Sequence, residues 1–104
     1  MSTFDDRENA FEAKFAHDAE MAFKATARRN KALGIWAAGL LGKTGDAVGA
    51  YAMAVIAADF EEDGDEDVVR MLVRDLAGKA DEGTIRTKMV ECLREAKDKL
   101  VKEG

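Results

Sequence analysis

Side chains able to do covalent chemistry are scarce in this sequence, which has one Ser (Ser2), one His (His17) and one Cys (Cys92). A nucleophile needs a base within hydrogen-bond reach and a third group to orient that base. Ser2 and His17 both fall near the N-terminus, while Cys92 lies on an apolar helical stripe near the other end and reads as a small buried hydrophobe. No catalytic triad can be assembled, so the chain is not expected to be an enzyme. Zinc needs three or four Cys, His or carboxylate ligands at workable spacing, which one Cys and one distant His cannot supply. Calcium comes nearer. Asp59, Glu61, Asp63, Gly64, Asp65 and Asp67 match positions 1, 3, 5, 6, 7 and 9 of an EF-hand loop. Position 12 is Arg70, which cannot ligate a cation and would repel it, so the cluster reads as an interhelical turn and no metal is expected.

Gly42, Lys43 and Thr44 spell the tail of a P-loop, but its first Gly would fall at Ala37, and a helical pattern rather than a strand precedes it. A capping turn fits better. Lys24, Arg28, Arg29 and Lys31 form a basic stretch that could meet an anion, against the plainer reading of a basic helix face on an acidic protein. Trp36 has apolar neighbours and reads as core. His17, alone, gives no specific signal.

The elements that must position these residues are helices. Ala and charged residues are abundant and Pro is absent, and no period-two alternation marks a strand. From Thr3 to Leu41 the first Gly is Gly34, so this stretch is expected to be one long helix or two meeting near His17 to Glu20. Thr3 is its N-cap, with Asp5 and Asp6 in the first turn. Phe4, Phe11 and Phe15, at i, i+7 and i+11, share one stripe. Leu33, Trp36, Ala37, Leu40 and Leu41 make a denser face further on.

Gly42 suits the left-handed position after a helix end, and Thr44 the cap of the next helix. That helix is expected from about Asp46 to Glu62, with Val48, Tyr51, Ala52, Val55, Ile56 and Phe60 inward. Asp65 is expected to cap a third helix, packing through Val69, Leu72, Val73 and Leu76 and ending near Gly78. A fourth, from about Glu82 to Lys102, carries Ile85, Met89, Cys92, Leu93, Ala96 and Leu100 inward, with Glu95–Lys99 and Asp98–Lys102 pairs outside. Short connections make neighbours antiparallel. The expected fold is all-α: a four-helix bundle with an N-terminal segment that is helical or partly mobile.

Composition bounds the rest. At 104 residues the chain makes one domain, divided here into a segment over 1–19 and a bundle over 20–104. With 47% hydrophobic and 36% charged residues it can fold. A net charge of -5 argues against nucleic acid as a partner, because phosphate contacts need a basic face. One cysteine permits no internal disulfide. The polar, acidic start does not read as a secretory signal and no apolar run could cross a bilayer, so a soluble intracellular protein is expected.

The runs TFDDRENAFEAKFAHDAEMAFKATARRNKALGIWAAGLLGK, DFEEDGDEDVVRMLVRDLAGKAD and TIRTKMVE closely resemble the zeta subunit family of the alphaproteobacterial F1Fo-ATP synthase, small ATPase-inhibitor proteins. The likeness spans essentially the whole chain and is sharpest in FDDRE, AKFAHD, ARRNK, WAAGLLGK and GDEDV. It implies a four-helix bundle whose N-terminal segment inserts at a catalytic alpha/beta interface of F1, against the central stalk, and blocks rotation in the hydrolysing direction. The implied partners are the F1 alpha, beta and gamma subunits, and the implied location is cytoplasmic, peripherally bound to the inner-membrane enzyme without entering the bilayer. Family members are linked to ATP or ADP binding by the bundle; no motif here locates that site, and no other cofactor is implied.

The residues agree on where the effector should lie. Phe4, Phe11 and Phe15 line a helix face that the bundle does not need, and Asp5, Asp6, Arg7, Glu8, Glu12 and Lys14 could fix its register in a polar groove. Lys24, Arg28, Arg29 and Lys31 are then expected to dock against acidic surface on the catalytic subunits. The competing expectation is that the rings pack onto the chain's own bundle when the protein is free.

Overall fold

The computed structural model describes residues 19–60 and 65–103. The Thr3 cap and the Phe4, Phe11 and Phe15 stripe lie outside them, as do His17 and Asp18 of the stretch where a bend was expected, while Ala19 and Glu20 open a helix. Four helices follow in order: α1 over Ala19–Leu40, α2 over Asp46–Asp59, α3 over Glu66–Asp75 and α4 over Glu82–Glu103. Among the described residues there is no strand. Each helix packs on its neighbours in the cycle α1, α2, α3, α4, with α1 also against α4.

All four helices contribute to one core. Leu33 and Ala37 of α1, Val55 of α2, Val68 and Leu72 of α3 and Ile85 of α4 are fully buried, and Leu76 beyond α3 joins them. Each large aliphatic side chain so buried contributes roughly 1.5–3 kcal/mol. Met89 and Cys92 extend the core along α4, and Ala25 with Leu100 forms a smaller cluster where α1 meets the end of α4.

The α1–α2 connection is set by hydrogen bonds that the sequence foreshadows. Gly42 has φ +75, the Lys43 N–H donates to the Ala38 carbonyl at 3.0 Å and the Gly42 N–H to the Gly39 carbonyl at 3.1 Å. This is a Schellman ending, which satisfies carbonyls that α1 would otherwise leave unpaired. Thr44 does not cap α2 as expected. Gly45 holds the N-cap position with φ +58 and no side-chain bond, and Thr44 contributes only its carbonyl, to the Ala47 N–H. At α4, by contrast, Asp81 is an N-cap that sequence reading missed, its Oδ1 accepting from the Thr84 N–H at 2.8 Å.

Three further expectations need correction. α2 ends at Asp59, not Glu62, and Phe60 follows the last turn, so its ring is 64% exposed and meets Phe23 at 5.8 Å between centroids instead of entering the core. On α3 the inward stripe is Val68, Val69, Leu72 and Leu76, which leaves Val73 at its edge, half-exposed. On α2 the outward face, Ala47, Gly49, Ala50, Met53, Ala54, Ala57 and Phe60, is exposed and uncharged throughout. The outer faces of α1, α3 and α4 all carry charge.

Candidate functional site

Of the residues expected to act on a partner, Phe4, Asp5, Asp6, Arg7, Glu8, Phe11, Glu12, Lys14 and Phe15 lie outside the described residues. The four basic residues of α1 are described, and they divide. Lys24, Arg28 and Lys31, at i, i+4 and i+7, share the exposed face. Arg29 points the other way and is 4% exposed.

The exposed stripe runs along a groove between α1 and α4. At one end the groove is lined by Met21, Lys24, Ala27, Arg28, Leu100 and Glu103. Further along, Arg28, Lys31, Ala32 and Ile35 face Glu95 and Lys99. Ala27, Ala32 and Ala96 line the groove beside these flexible cations. Lys24 pairs with Glu20 one turn back at 3.2 Å. Arg28 makes a two-pronged ion pair with Glu103, joining α1 to the end of α4. That bond holds the Glu103 carboxyl below the usual carboxylate range and raises the Arg28 guanidinium. Both side chains are exposed, so the pair is screened and able to exchange partners at little cost.

Arg29 serves the fold. Its Nε and Nη2 donate to Asn30 Oδ1 at 3.0 and 2.7 Å, and Nη2 also donates to Asp65 Oδ1 at 2.9 Å. Asp59 Oδ1 lies 3.6 Å from the same nitrogen. Asp59 ends α2 and Asp65 precedes α3, so one guanidinium from α1 ties both flanks of the acidic turn. Asp65 therefore gives its carboxylate to Arg29 and makes no side-chain cap bond to α3. Arg70, at the twelfth loop position, bonds Asp67. Of the acids in the EF-hand-like run, Asp59, Asp65 and Asp67 are met by arginines, while Glu61 and Asp63 lie outside the described residues; among the described residues no His, Cys, Asp and Glu cluster is arranged to hold a metal.

The other singled-out residues have structural places. Cys92 is buried in the core, and burial pushes its thiol up from its ordinary range. Trp36 is half-buried, one side on the core and one lining a groove with Thr84, Thr87 and Lys88. Lys43 sits 5.7 Å above the Tyr51 ring in the turn after α1, with no phosphate-cradling loop around it. No helix among the described residues is long and apolar enough to cross a membrane.

Four helices closed on one core, with a basic stripe along one groove, define a small helical-bundle protein. A family model for ATPase inhibitor subunit zeta matches residues 1–99, and the chain belongs to that family. Membership makes it a regulatory protein that interacts with an ATPase. A protein with a solved solution NMR structure is similar, at 50% identity and a TM-score of 0.74 over 81% of this chain and 99% of its own. No curated protein matches the chain.

Proposed function

We propose that this protein inhibits ATP hydrolysis by F1 by inserting its N-terminal segment, residues 1–19, at a catalytic alpha/beta interface against the gamma subunit. Residues 20–104 form the anchor. Phe4, Phe11 and Phe15 enter the interface, and Asp5, Asp6, Arg7, Glu8, Glu12 and Lys14 set the register of the segment. The supporting observation is the exposed Lys24, Arg28 and Lys31 stripe on a chain of net charge -5, beginning within two turns of where the segment joins α1. A basic stripe beside the wedge suits an acidic partner surface.

Magnitudes explain why a wedge needs an anchor. Burying three Phe rings contributes about 6–9 kcal/mol, while association costs about 4–15 kcal/mol before the segment is ordered. A docked bundle raises the effective concentration of the segment and limits its escape. Arg29, half of the sequence-based docking pair with Arg28, is committed to Asp65 and drops out of this role.

Reversing charge at Arg28 and Lys31 together tests the docking. Inhibition of matched F1 should weaken and lose part of its salt dependence. Unchanged inhibition with an unchanged salt profile would remove the stripe from the interface.

A second reading, an adenine nucleotide bound to the bundle, draws on the groove where Trp36 offers a ring face and Lys88 a cation. Asp81 and Glu91 line the same groove and oppose phosphate, so affinity should be low. Titration with ATP should quench Trp36 fluorescence and shift the Thr84 and Thr87 amides; a flat titration removes this reading.

A further inference from the structure

Two aromatic rings stand exposed among the described residues, Phe23 at 58% and Phe60 at 64%, and they lie at the same end of the bundle. Phe23 is one turn into α1, about 6 Å along the axis from Ala19. Phe60, just past α2, meets it with ring centroids 5.8 Å apart and planes tilted by 40°. Neither ring belongs to the core. Each braces the other, so the pair is in place before any partner arrives. The rings are continuous with the basic stripe. Phe23 and Ala27 line two adjoining grooves, one shared with Thr26 and Phe60, the other with Lys24 and Arg28. One surface thus carries rings on one side and cations on the other. Its carboxylates already face cations of the chain itself: Asp59 faces Arg29, Glu20 pairs with Lys24 and Glu103 with Arg28.

We propose that Phe23 and Phe60 are the apolar centre of the surface by which the bundle grips F1. The occupant is a patch on a catalytic subunit that projects an apolar side chain into the groove between Phe60 and Thr26, with carboxylates beside it facing Lys24, Arg28 and Lys31. Charge complementarity selects an acidic partner. The rings select one that also buries apolar area, because exposed ion pairs are screened by water and salt and hold little by themselves. Interfaces that bind tightly place aromatic anchors at a desolvated centre and leave charge at the rim, which is the arrangement here. The choice of F1 as partner rests on the inhibitory reading: a segment inserted into the enzyme brings the start of α1, and with it this end of the bundle, to the enzyme surface. Cations then steer and orient the approach, and the rings slow the departure.

The test measures binding of the full chain to matched F1 by calorimetry at two salt concentrations, with helical content and melting checked for each variant. Phe23→Gln with Phe60→Gln should bind about tenfold or more weakly, chiefly through faster dissociation. Its salt dependence should remain that of the parent, since the cations are untouched. Phe23→Gln alone, at an exposed helical position, should show part of the loss, which keeps the test decisive if the change at Phe60 disturbs the fold. Val90→Gln, an apolar residue of α4 that is 59% exposed and lines neither groove, should keep the parent's affinity. Parent affinity in the ring variants overturns the proposal, as does an equal loss in Val90→Gln. Self-association of the parent chain that the ring variants abolish also overturns it, since a second copy would then be the occupant. Weakened binding by the ring variants, while the intact chain leaves hydrolysis unslowed, keeps the surface and removes the inhibitory reading. Parent affinity in those variants, with strong inhibition by the intact chain, does the reverse.

Discussion

Arg29 and Asp65, 36 positions apart, are joined by a 2.9 Å hydrogen bond that fastens α1 to the start of α3. The same guanidinium holds Asn30 and faces Asp59, so a buried cation bridges the acidic turn that follows α2. Arg29→Ala would leave Asp59 and Asp65 facing each other without it. Because Asp65 is about half exposed, the loss should fall below the full penalty for breaking a buried pair, at about 2–3 kcal/mol. Arg29→Lys should rescue little, since a single ammonium cannot reproduce the fork to Asn30 and Asp65. Urea unfolding of the three proteins gives the comparison.

The closest approach of α1 and α2 fixes a second prediction. A Cβ on Gly34 would lie 2.6 Å from the Ala52 Cα, a backbone atom that cannot turn aside. Gly34→Ala should therefore destabilise by about 1–3 kcal/mol, overriding the roughly 1 kcal/mol gain in helix propensity. Gly39→Ala, where nothing lies within 4 Å, should stabilise by up to about 1 kcal/mol. Thermal melts of opposite sign are expected, and two melts shifted in the same direction would contradict the packing.

Tyr51 gives a pH dependence. Its hydroxyl donates to Asp75 Oδ2 at 2.8 Å. Burial, aided by that bond, pushes the phenol above its ordinary range, and Arg74, bonded to Asp75, holds the carboxyl below its own. The raised phenol favours the folded state while it stays protonated. Stability should thus hold up to about pH 10, where the unfolded Tyr ionises, and fall above it as pH climbs towards the folded value. The lowered Asp75 adds stability above about pH 4 that disappears as pH drops through its folded value. Tyr51→Phe should cost about 1 kcal/mol at neutral pH and flatten the alkaline limb relative to the parent protein. An identical alkaline limb in both would show that Tyr51 does not carry it.

Asp81 closes the first turn of α4 through the Thr84 N–H. Asp81→Ala should cost about 1 kcal/mol and Asp81→Asn much less, with amide exchange at Thr84 accelerated only in the former. Equal exchange in both variants would separate the cap from the stability of α4.

Helix existence and order were legible in the sequence because the apolar periods of α1, α3 and α4 are strong and Gly42 marks a true helix end. Cys92 was legible as core for the same reason. Arg29 was not: a guanidinium reads as wet surface, and only the return of Asp59 and Asp65 to its side, set by tertiary packing, lets it be buried. On α2 the expected inward stripe of Val48, Tyr51, Ala52, Val55 and Ile56 is buried or half-buried, but the helix stops at Asp59, so Phe60, read as its continuation, lies outside the core. The exposed part of the basic stretch follows from helical spacing that could have been applied, since Lys24, Arg28 and Lys31 share a face that Arg29 does not.

The central claim is that the N-terminal segment is the wedge and the bundle its anchor. Hydrolysis of ATP by matched F1 should be measured with the intact chain, with Phe4, Phe11 and Phe15 all changed to Ser, and with residues 2–18 removed, helical content being checked in each. The account predicts strong inhibition by the intact chain and its loss in both variants while their bundles stay folded; full inhibition by a folded bundle without the segment would contradict it.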